Sequence, residues 1–174
     1  MERYLRNMNM LSPEENASLS KFKVCVVGCG GLGGYIIEML ARLGIGYLTV
    51  VDGDIFDETN LNRQLLSDMD SIGKLKALAA KDRINKINPL VKVEAISRML
   101  TEENCSEILI GHDVIVDALD SISTRLVVQK YAEELNIPLV HGAIAGWFGQ
   151  VTTIFPGDKT LNLLYSYNDK KGLE

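Results

Sequence analysis

Residues 23–33 read KVCVVGCGGLG, a short apolar run followed by a loop that is rich in glycine. The apolar run predicts a buried strand, and apolar residues recur at helical spacing from Ile36 to Leu43 after the loop. A Gly-x-Gly-x-x-Gly loop between a strand and a helix is typical of nucleotide-binding turns, because its backbone N–H groups can approach a phosphate at the helix N terminus. The pattern therefore favours nucleotide binding over a plain glycine-rich turn, and the glycines concerned are Gly28, Gly30, Gly31 and Gly33.

Apolar strands and amphipathic helices alternate along the rest of the chain. The sequence predicts further strands at residues 47–51, 91–96, 113–119, 138–141 and 150–155. It predicts helices from Ser12 onward, after the glycine loop with Gly44 as its end, and at residues 74–86, 102–109 and 121–135. Because apolar strands separated by helices form parallel sheets, the expected fold class is α/β: a Rossmann-like, doubly wound, mainly parallel sheet with helices on both faces.

The composition disfavours several classes of function. With 174 residues, of which 47% are hydrophobic and 24% charged, the chain is expected to be globular. No apolar run is long enough for a bilayer, so no membrane partner is expected, and the N terminus has no apolar signal-peptide core. The net charge of −5 and the absence of a basic run disfavour nucleic acid as a partner. Three cysteines without framework spacing predict reduced thiols and a cytoplasmic location.

Charged residues that suit phosphate chemistry follow the predicted strands. Asp52 ends the second strand, 19 residues after Gly33, where its carboxylate can accept hydrogen bonds from ribose hydroxyls. Arg63 lies in the polar segment TNLNRQ, Lys76 opens a helix, and Asp120 ends the strand that begins DVIVDAL. Because the carboxyl ends of parallel strands meet at one edge of the sheet, this set indicates phosphoryl or nucleotidyl transfer rather than hydride transfer.

The ordered motifs GCGGLG, VDGD, TNLNRQ, GKLK and LDS resemble those of the ubiquitin-activating-like adenylyltransferases, the family of ThiF, MoeB and HesA. The resemblance extends from about Arg3 to Phe155. It implies a Mg²⁺-ATP-dependent enzyme that activates a carboxylate as an acyl-adenylate and releases pyrophosphate. The typical substrate in that family is the C-terminal glycine of a small ubiquitin-like sulfur-carrier protein in thiamine or molybdopterin biosynthesis.

The resemblance also implies a role for each matching residue. Gly31 and its neighbours would contact the ATP phosphates, and Asp52 would bind the ribose. Arg63 and Lys76 would stabilise the transition state at the α-phosphorus, while Asp120 would coordinate Mg²⁺. The remaining nucleotide contacts implied in this way are Asp54, Thr59, Asn60 and Ser121, the last standing where the family usually has Asn.

The resemblance further implies a homodimer and a division of the chain. Arg6 matches the family's arginine that reaches into the partner subunit's site. Residues 1–20 are expected to form a helical segment that carries this arginine, and residues 21–156 the adenylation domain. Residues 157–174 are expected to form a polar tail, with the family's crossover loop and C-terminal part absent.

Two other functions stay open on the sequence alone. An NAD-dependent oxidoreductase could use the same sheet, but it would have no use for Arg6, Arg63 or Lys76. A catalytically reduced module would bind nucleotide without pyrophosphate exchange. Within the adenylyltransferase reading, the acceptor could also be a modified tRNA base, as in a dehydratase branch of the family, although the acidic charge counts against it.

Five other residues allow a functional and a structural interpretation. Cys29 and Cys105 are predicted to be packing residues rather than reactive thiols, because no base lies beside them in the sequence. His141, for which the sequence offers no paired carboxylate, is predicted to be structural. Arg125 could support the phosphate-binding residues or be a surface charge, and Trp147 could be an exposed platform or part of the core.

Overall fold

A computed structural model describes residues 2–165, which contain six strands and six α-helices around two short 3-10 helices. The strands are β1 Lys23–Val27, β2 Tyr47–Val51, β3 Lys92–Ile96, β4 Val114–Asp117, β5 Leu139–Ala145 and β6 Phe148–Ile154. The helices are α1 Pro13–Leu19, α2 Gly33–Leu43, α3 Lys76–Ile87, α4 Glu102–Leu109, α5 Ile122–Glu134 and α6 Thr160–Tyr165. Within the same residues, no helix combines the length and apolar character that a membrane crossing requires.

The strands form one sheet in the order β3-β2-β1-β4-β5-β6. Neighbouring strands are parallel from β3 to β5, and β6 pairs antiparallel with β5. The chain therefore starts at the centre of the sheet and winds outward in both directions. The crevice between the carboxyl ends of β1 and β4, where the winding reverses, is the usual ligand site of such sheets.

Alternate residues of β1 supply two separate hydrophobic cores. Val24 and Val26 pack with α2 and α3 on one face, while Cys25 and Val27 pack with α4, α5 and α6 on the other. Successive side chains of a strand point to opposite faces, so a central strand that is apolar throughout requires cover on both. The expected α/β fold with a doubly covered, mainly parallel sheet is confirmed.

An ionic cluster around a buried carboxylate joins α2 to α3. Glu38 of α2 is only 8% exposed and accepts hydrogen bonds from Arg83 Nε at 2.8 Å and Arg42 Nη2 at 2.7 Å. The bond from Arg83, with help from Arg42, holds the pKa of Glu38 below its ordinary value. The carboxylate is thus kept ionised between the two helices that cover one face of the sheet.

The N-terminal segment begins with a 3-10 helix, Glu2–Asn9, that packs on the C-terminal ends of α2 and α3. Asn88, directly after α3, donates a hydrogen bond to the Tyr4 hydroxyl at 2.7 Å. Asn7 donates to the carbonyl of Leu43 at 3.1 Å, at the end of α2. Gly44 follows with a φ of 99°, and a Cβ there would lie 2.7 Å from the Tyr4 ring. These contacts fix the segment at the amino-end edge of the sheet.

The C-terminal third differs from the sequence-based expectation in two places. The predicted strands 138–141 and 150–155 are one hairpin, because Gly146, with a φ of 59°, lets β5 turn directly into β6. Trp147, the other residue of the turn, is fully exposed and therefore does not pack in the core. Leu161 of α6 is fully buried, so residues 160–165 form a packed helix rather than a polar tail. Residues 166–174 lie outside the described part of the chain.

Candidate nucleotide-binding site

The glycine loop contains two glycines that the fold itself requires. Gly28 has a φ of 99°, and a Cβ on it would lie 2.7 Å from the carbonyl oxygen of Ala118. A Cβ on Gly33 would lie 1.8 Å from the carbonyl oxygen of Gly28, which real structures do not permit. These two positions hold the loop against the segment after β4, whatever the loop binds.

The other two glycines of the loop are not required by the fold. A Cβ on Gly30 would come no closer than 3.8 Å to Gln64, and one on Gly31 no closer than 3.8 Å to Arg63. Both are ordinary contact distances, so alanine would fit at either position in this structure. Their lack of side chains leaves backbone open between the loop and the TNLNRQ segment, which is what close approach of a phosphate needs.

Asp52, directly after β2, is tied to the glycine loop. Its Oδ2 accepts a hydrogen bond from the backbone N–H of Cys29 at 2.7 Å, and its Oδ1 accepts one from Asp54 N–H at 2.9 Å. Each carboxylate oxygen has a further lone pair that can accept from a hydroxyl. The carboxylate is therefore held beside the loop with capacity to accept from a further donor.

Cys29 fills the space beneath the loop. Its side chain is fully buried, and burial, followed by the charge of Asp52, raises the pKa of its thiol well above the ordinary value. The prediction of a packing residue is confirmed. Cys105 of α4 is buried as well, and burial raises its pKa to about 12, so it is not an activated thiol in this structure.

The TNLNRQ segment turns through a short 3-10 helix, Glu58–Asn60, that faces the loop. Asp57 caps this helix by accepting from Thr59 N–H at 2.7 Å, and the buried Asn60 side chain accepts from Asp57 N–H at 3.2 Å. The Arg63 guanidinium is exposed and donates to the carbonyl of Thr59 at 2.9 Å. Thr59 and Asn60 thus shape the turn, and the turn places Arg63 beside Gly31.

Gln64, at the end of the same segment, is a residue of the site that the sequence did not predict. It lies against Gly30 and is only 6% exposed, yet its Oε1 atom has no hydrogen-bond partner among the described residues. An unpaired buried carbonyl oxygen is costly and rare in folded proteins. A ligand or water bound at the loop would satisfy it, which agrees with the open backbone of the adjacent glycines.

Lys76, the first residue of α3, places a buried cation at the same edge. Its side chain is about one-tenth exposed; Nζ lies 3.2 Å from Asp54 Oδ2 and 5.9 Å from the centre of the Phe56 ring. A cation at a helix N terminus opposes the helix dipole, and here the Asp54 carboxylate and the Phe56 ring stabilise it. Because the Asp54 carboxylate is largely exposed, the ion pair is weak and the ammonium group can turn to an incoming phosphate.

The segment after β4 presents Asp120 to solvent. The strand ends at Asp117, two residues before the predicted end, so Asp120 lies in the loop that leads to α5. Its carboxylate has no hydrogen-bond or ion-pair partner in the described part of the chain. Ser121 caps α5 by accepting from Thr124 N–H at 3.3 Å, so its hydroxyl already has a structural role.

The structure corrects one premise about His141 and excludes one of the two interpretations of Arg125. His141 does have a paired carboxylate: its Nδ1 lies 2.7 Å from Asp117 Oδ2, because the two residues are register partners on β4 and β5. Arg125 is not a surface charge, since it is 7% exposed and donates from Nε to the carbonyl of Leu119 at 3.0 Å. Asp117, a carboxylate within the apolar strand DVIVDAL, is the sequence feature that indicates a buried polar partner.

Comparison with known proteins agrees with this geometry. The model of the ThiF family matches residues 4–173. The chain belongs to the ThiF family. It is 42% identical over 153 residues to a sulfur carrier protein adenylyltransferase of Thermus thermophilus, covering 87% of this chain and 56% of that protein. It is 38% identical over 167 residues to the SAMP-activating enzyme E1 of Haloferax volcanii, covering 95% of this chain and 62% of that protein.

A solved structure that contains ATP shares this fold. The crystal structure of the E. coli tRNA N6-threonylcarbamoyladenosine dehydratase TcdA, in complex with ATP, superimposes with a TM-score of 0.81 at 32% identity. The match covers 84% of this chain and 61% of that one. This ThiF-family chain therefore spans about 60% of the length of these relatives.

The donor set of this ThiF-family site suits Mg²⁺ only together with a nucleotide. No group of three or more His, Cys, Asp or Glu side chains within residues 2–165 could hold a metal ion. Mg²⁺ is commonly bound by one or two carboxylates plus substrate phosphates and water. The exposed, unpaired carboxylate of Asp120 fits that pattern, and it would hold a magnesium ion that phosphates also bind.

Arg6 is the one predicted catalytic residue that the fold keeps away from the loop. It is exposed on the N-terminal 3-10 helix, at the C-terminal end of α2, whereas the glycine loop lies at the N-terminal end of that helix. Eleven residues of α-helix span about 16 Å. Arg6 therefore does not reach the glycine loop of its own chain.

Proposed function

We propose that this chain is a Mg²⁺-ATP-dependent adenylyltransferase that activates a carboxylate as an acyl-adenylate. The observation that carries the proposal is the open backbone at Gly30 and Gly31, which the fold does not require and which faces Arg63. Lys76 and Asp120 lie at the same carboxyl edge of the sheet. Cations and a free carboxylate around a phosphate site suit nucleotidyl transfer, whereas hydride transfer needs neither.

The site residues can perform this reaction without a general base. The substrate carboxylate is ionised at neutral pH, so one of its oxygens can attack the α-phosphorus directly. A C–O–P bond forms, the bond from the α-phosphorus to the bridging oxygen breaks, and pyrophosphate leaves with the electron pair. Arg63 and Lys76 stabilise the charge that develops on the phosphate oxygens, and Asp52 orients the ribose. A bound Mg²⁺ would neutralise charge on the phosphates, with Asp120 as its protein ligand.

A second copy of the chain would complete the site. Arg6 is exposed, has no ion-pair partner among the described residues, and lies far from its own glycine loop. Its guanidinium could stabilise the charge on the leaving pyrophosphate only from a neighbouring subunit. The active unit is therefore a homodimer, and Arg6→Ala subunits should regain activity when mixed with Asp120→Ala subunits. No recovery in the mixture would exclude action in trans.

The acceptor is the C-terminal glycine of a small ubiquitin-like sulfur-carrier protein, of the kind used in thiamine or molybdopterin biosynthesis. Support comes from the Thermus thermophilus relative, which is named a sulfur carrier protein adenylyltransferase. The net charge of −5 disfavours a tRNA acceptor such as the one named for the dehydratase. The three free, buried thiols suit a reducing compartment, and we place the enzyme in the cytoplasm.

The decisive experiment is calorimetric titration with ATP plus Mg²⁺ and, separately, with NAD⁺, followed by ATP–pyrophosphate exchange with a carrier protein ending in Gly-Gly. Binding of ATP alone and carrier-dependent exchange support the proposal; binding of NAD⁺ alone refutes it. Asp120→Ala should abolish exchange, while Asp82→Ala, which removes an exposed carboxylate of α3, should not. Unaltered exchange in Asp120→Ala would contradict the metal assignment, and ATP binding without any exchange would favour the catalytically reduced module.

A further inference from the structure

A closed cycle of hydrogen bonds lies behind the loop that presents Asp120, and the proposed reaction makes no direct use of it. Its members come from β4, the loop after it, β5, α5 and α6; three of the five are buried and the other two, Leu119 and Tyr165, are half-buried. The cycle contains three ionisable side chains in the interior of the fold, where such groups are normally excluded unless fully paired. Its members are Asp117, Leu119, Arg125, His141 and Tyr165.

The donors and acceptors of the cycle follow one consistent direction. Arg125 Nη1 donates to the Tyr165 hydroxyl at 2.7 Å, which in turn can donate to His141 Nε2 at 3.3 Å. His141 Nδ1 then donates to Asp117 Oδ2 at 2.7 Å. The second oxygen of Asp117 accepts from the backbone N–H of Leu119 at 3.0 Å. Each of these groups therefore has a hydrogen-bond partner of the right kind.

The cycle closes at Leu119, whose N–H donates to Asp117 and whose carbonyl accepts from Arg125. Arg125 Nε donates to the Leu119 carbonyl at 3.0 Å, and Nη2 of the same guanidinium donates to it as well. The N–H and the C=O of Leu119 are thus held from opposite sides by two buried charged groups. Because the Leu119 carbonyl belongs to the peptide bond that joins Leu119 to Asp120, these bonds fix the backbone from which the Asp120 side chain projects.

Stability alone is a weak reason for this arrangement. A buried ion pair contributes little net stability relative to apolar residues of the same size, because both charges must be desolvated. An apolar core at these positions would cover the sheet equally well. Apolar side chains could not hold the exposed Asp120 in a single orientation. Asp120 lies in the loop after β4, where Ala118 contacts the glycine loop.

We propose that His141 and Tyr165 are positioning residues for Asp120, acting through Asp117 and Arg125 on the Leu119–Asp120 peptide. The inference rests on the proposed function, in which Asp120 binds the metal ion that accompanies ATP. Groups that orient a metal ligand typically change metal affinity or activity by about 10- to 100-fold when they are removed. Neither side chain touches nucleotide or metal, so their loss should affect metal affinity far more than nucleotide affinity.

The test pairs two disruptive variants with two matched ones. Tyr165→Phe deletes only the hydroxyl, and Tyr131→Phe is its control, since the Tyr131 hydroxyl has no hydrogen-bond partner among the described residues. His141→Leu removes the donor to Asp117 and keeps the bulk, whereas His141→Asn keeps a donor near the position of Nδ1. Because His141→Leu could fail to fold, Tyr165→Phe carries the test independently.

Two measurements are made on each variant. The first is Mn²⁺ binding in the presence of saturating α,β-methylene ATP, followed by electron paramagnetic resonance. The second is hydrogen exchange of the Leu119 amide in the free protein. We expect Tyr165→Phe and His141→Leu to weaken Mn²⁺ binding about tenfold or more and to speed Leu119 exchange about tenfold. Their nucleotide affinity without metal should stay within about twofold, and His141→Asn should restore most of both losses.

The two proposals can fail separately. Unchanged Mn²⁺ affinity and unchanged Leu119 exchange in both disruptive variants would overturn the positioning role, even if the wild-type protein binds ATP. If the wild-type protein binds no nucleotide, the proposed function fails, while the exchange rate of Leu119 still decides whether the cycle holds the loop. Faster exchange in Tyr131→Phe as well would mean general loosening, and would also overturn the assignment.

Discussion

Alanine at Gly31 should separate nucleotide binding from folding more cleanly than any other single change in the loop. The Cβ would meet nothing closer than Arg63 Cγ at 3.8 Å, and Gly31 has no positive φ, so the folded chain accommodates it without strain. A Gly→Ala change at an unstrained site alters stability by less than about 1 kcal/mol, often in the favourable direction. The free energy of unfolding should therefore be almost unchanged.

The expected loss of affinity follows from the position of the new methyl group. It would occupy the open backbone surface between the loop and Arg63, where the proposed phosphate must approach N–H groups closely. Displacing the phosphate from one such group removes a charged hydrogen bond worth about 1.5–3 kcal/mol. That corresponds to an ATP dissociation constant raised about 10- to 150-fold.

Calorimetric titration with ATP and Mg²⁺, together with thermal unfolding, measures both quantities on the same samples. Gly149→Ala is the matched control, because its Cβ would meet only the Ala143 carbonyl at 3.7 Å, on the hairpin away from the loop. Gly33→Ala shows the opposite case and should fail to fold, given the 1.8 Å approach to the Gly28 carbonyl. If Gly31→Ala binds ATP within about twofold of the wild type, the phosphates do not lie on this loop.

Two further substitutions and one labelling experiment test the fold. Glu38→Gln should flatten the acid dependence of stability below the ordinary pKa of a glutamate. The lowered folded-state pKa of Glu38 gives a stabilisation that is present above the ordinary pKa and is lost as pH falls through the lower value, as thermal unfolding would show. Asn88→Ala should cost about 1–3 kcal/mol in urea unfolding, because the buried side chain also donates to the Ala41 carbonyl at 2.8 Å; a smaller loss would mean that the N-terminal segment is loosely held. All three cysteines should resist iodoacetamide until the protein is denatured, because their thiols are buried. Early labelling of Cys105, detected by mass spectrometry, would show instead that its thiol is reactive.

Local sequence patterns predicted most of the architecture, because the order of apolar and polar residues in each element reflects which of its faces are buried. The helix Glu102–Leu109 has the predicted bounds, as do the first two strands, since burial on both faces leaves an uninterrupted apolar run. Gly44 ends α2 in the left-handed conformation, as a glycine after a helical repeat indicates. Such features depend on neighbours a few positions apart, and a single sequence contains that information.

The errors concern features that depend on residues distant in the sequence. His141 finds its carboxylate 24 positions away, through strand register that no local pattern specifies. Leu161 belongs to the stretch TLNLLY, and packing beside α5 makes it a core residue. Gly146, by contrast, is a local signal: a glycine between two alternating stretches indicates a hairpin, which the sequence-based prediction divided into two separate strands.

The exposed turn of the β5–β6 hairpin lies at the same carboxyl edge of the sheet as the nucleotide site, but beyond β4 and toward the outer edge. Every predicted nucleotide contact lies between Gly28 and Ser121, on segments that follow β1, β2 and β4 or open α3. The exposed apolar residues Trp147 and Phe148 lie on the hairpin at the sheet's outer edge. Nucleotide binding should therefore survive changes on the hairpin, so Trp147→Ala should leave ATP affinity within about twofold. A Trp147→Ala variant that binds ATP normally but loses carrier-dependent exchange would assign the hairpin to acceptor binding, and loss of ATP affinity would show that the two regions are coupled.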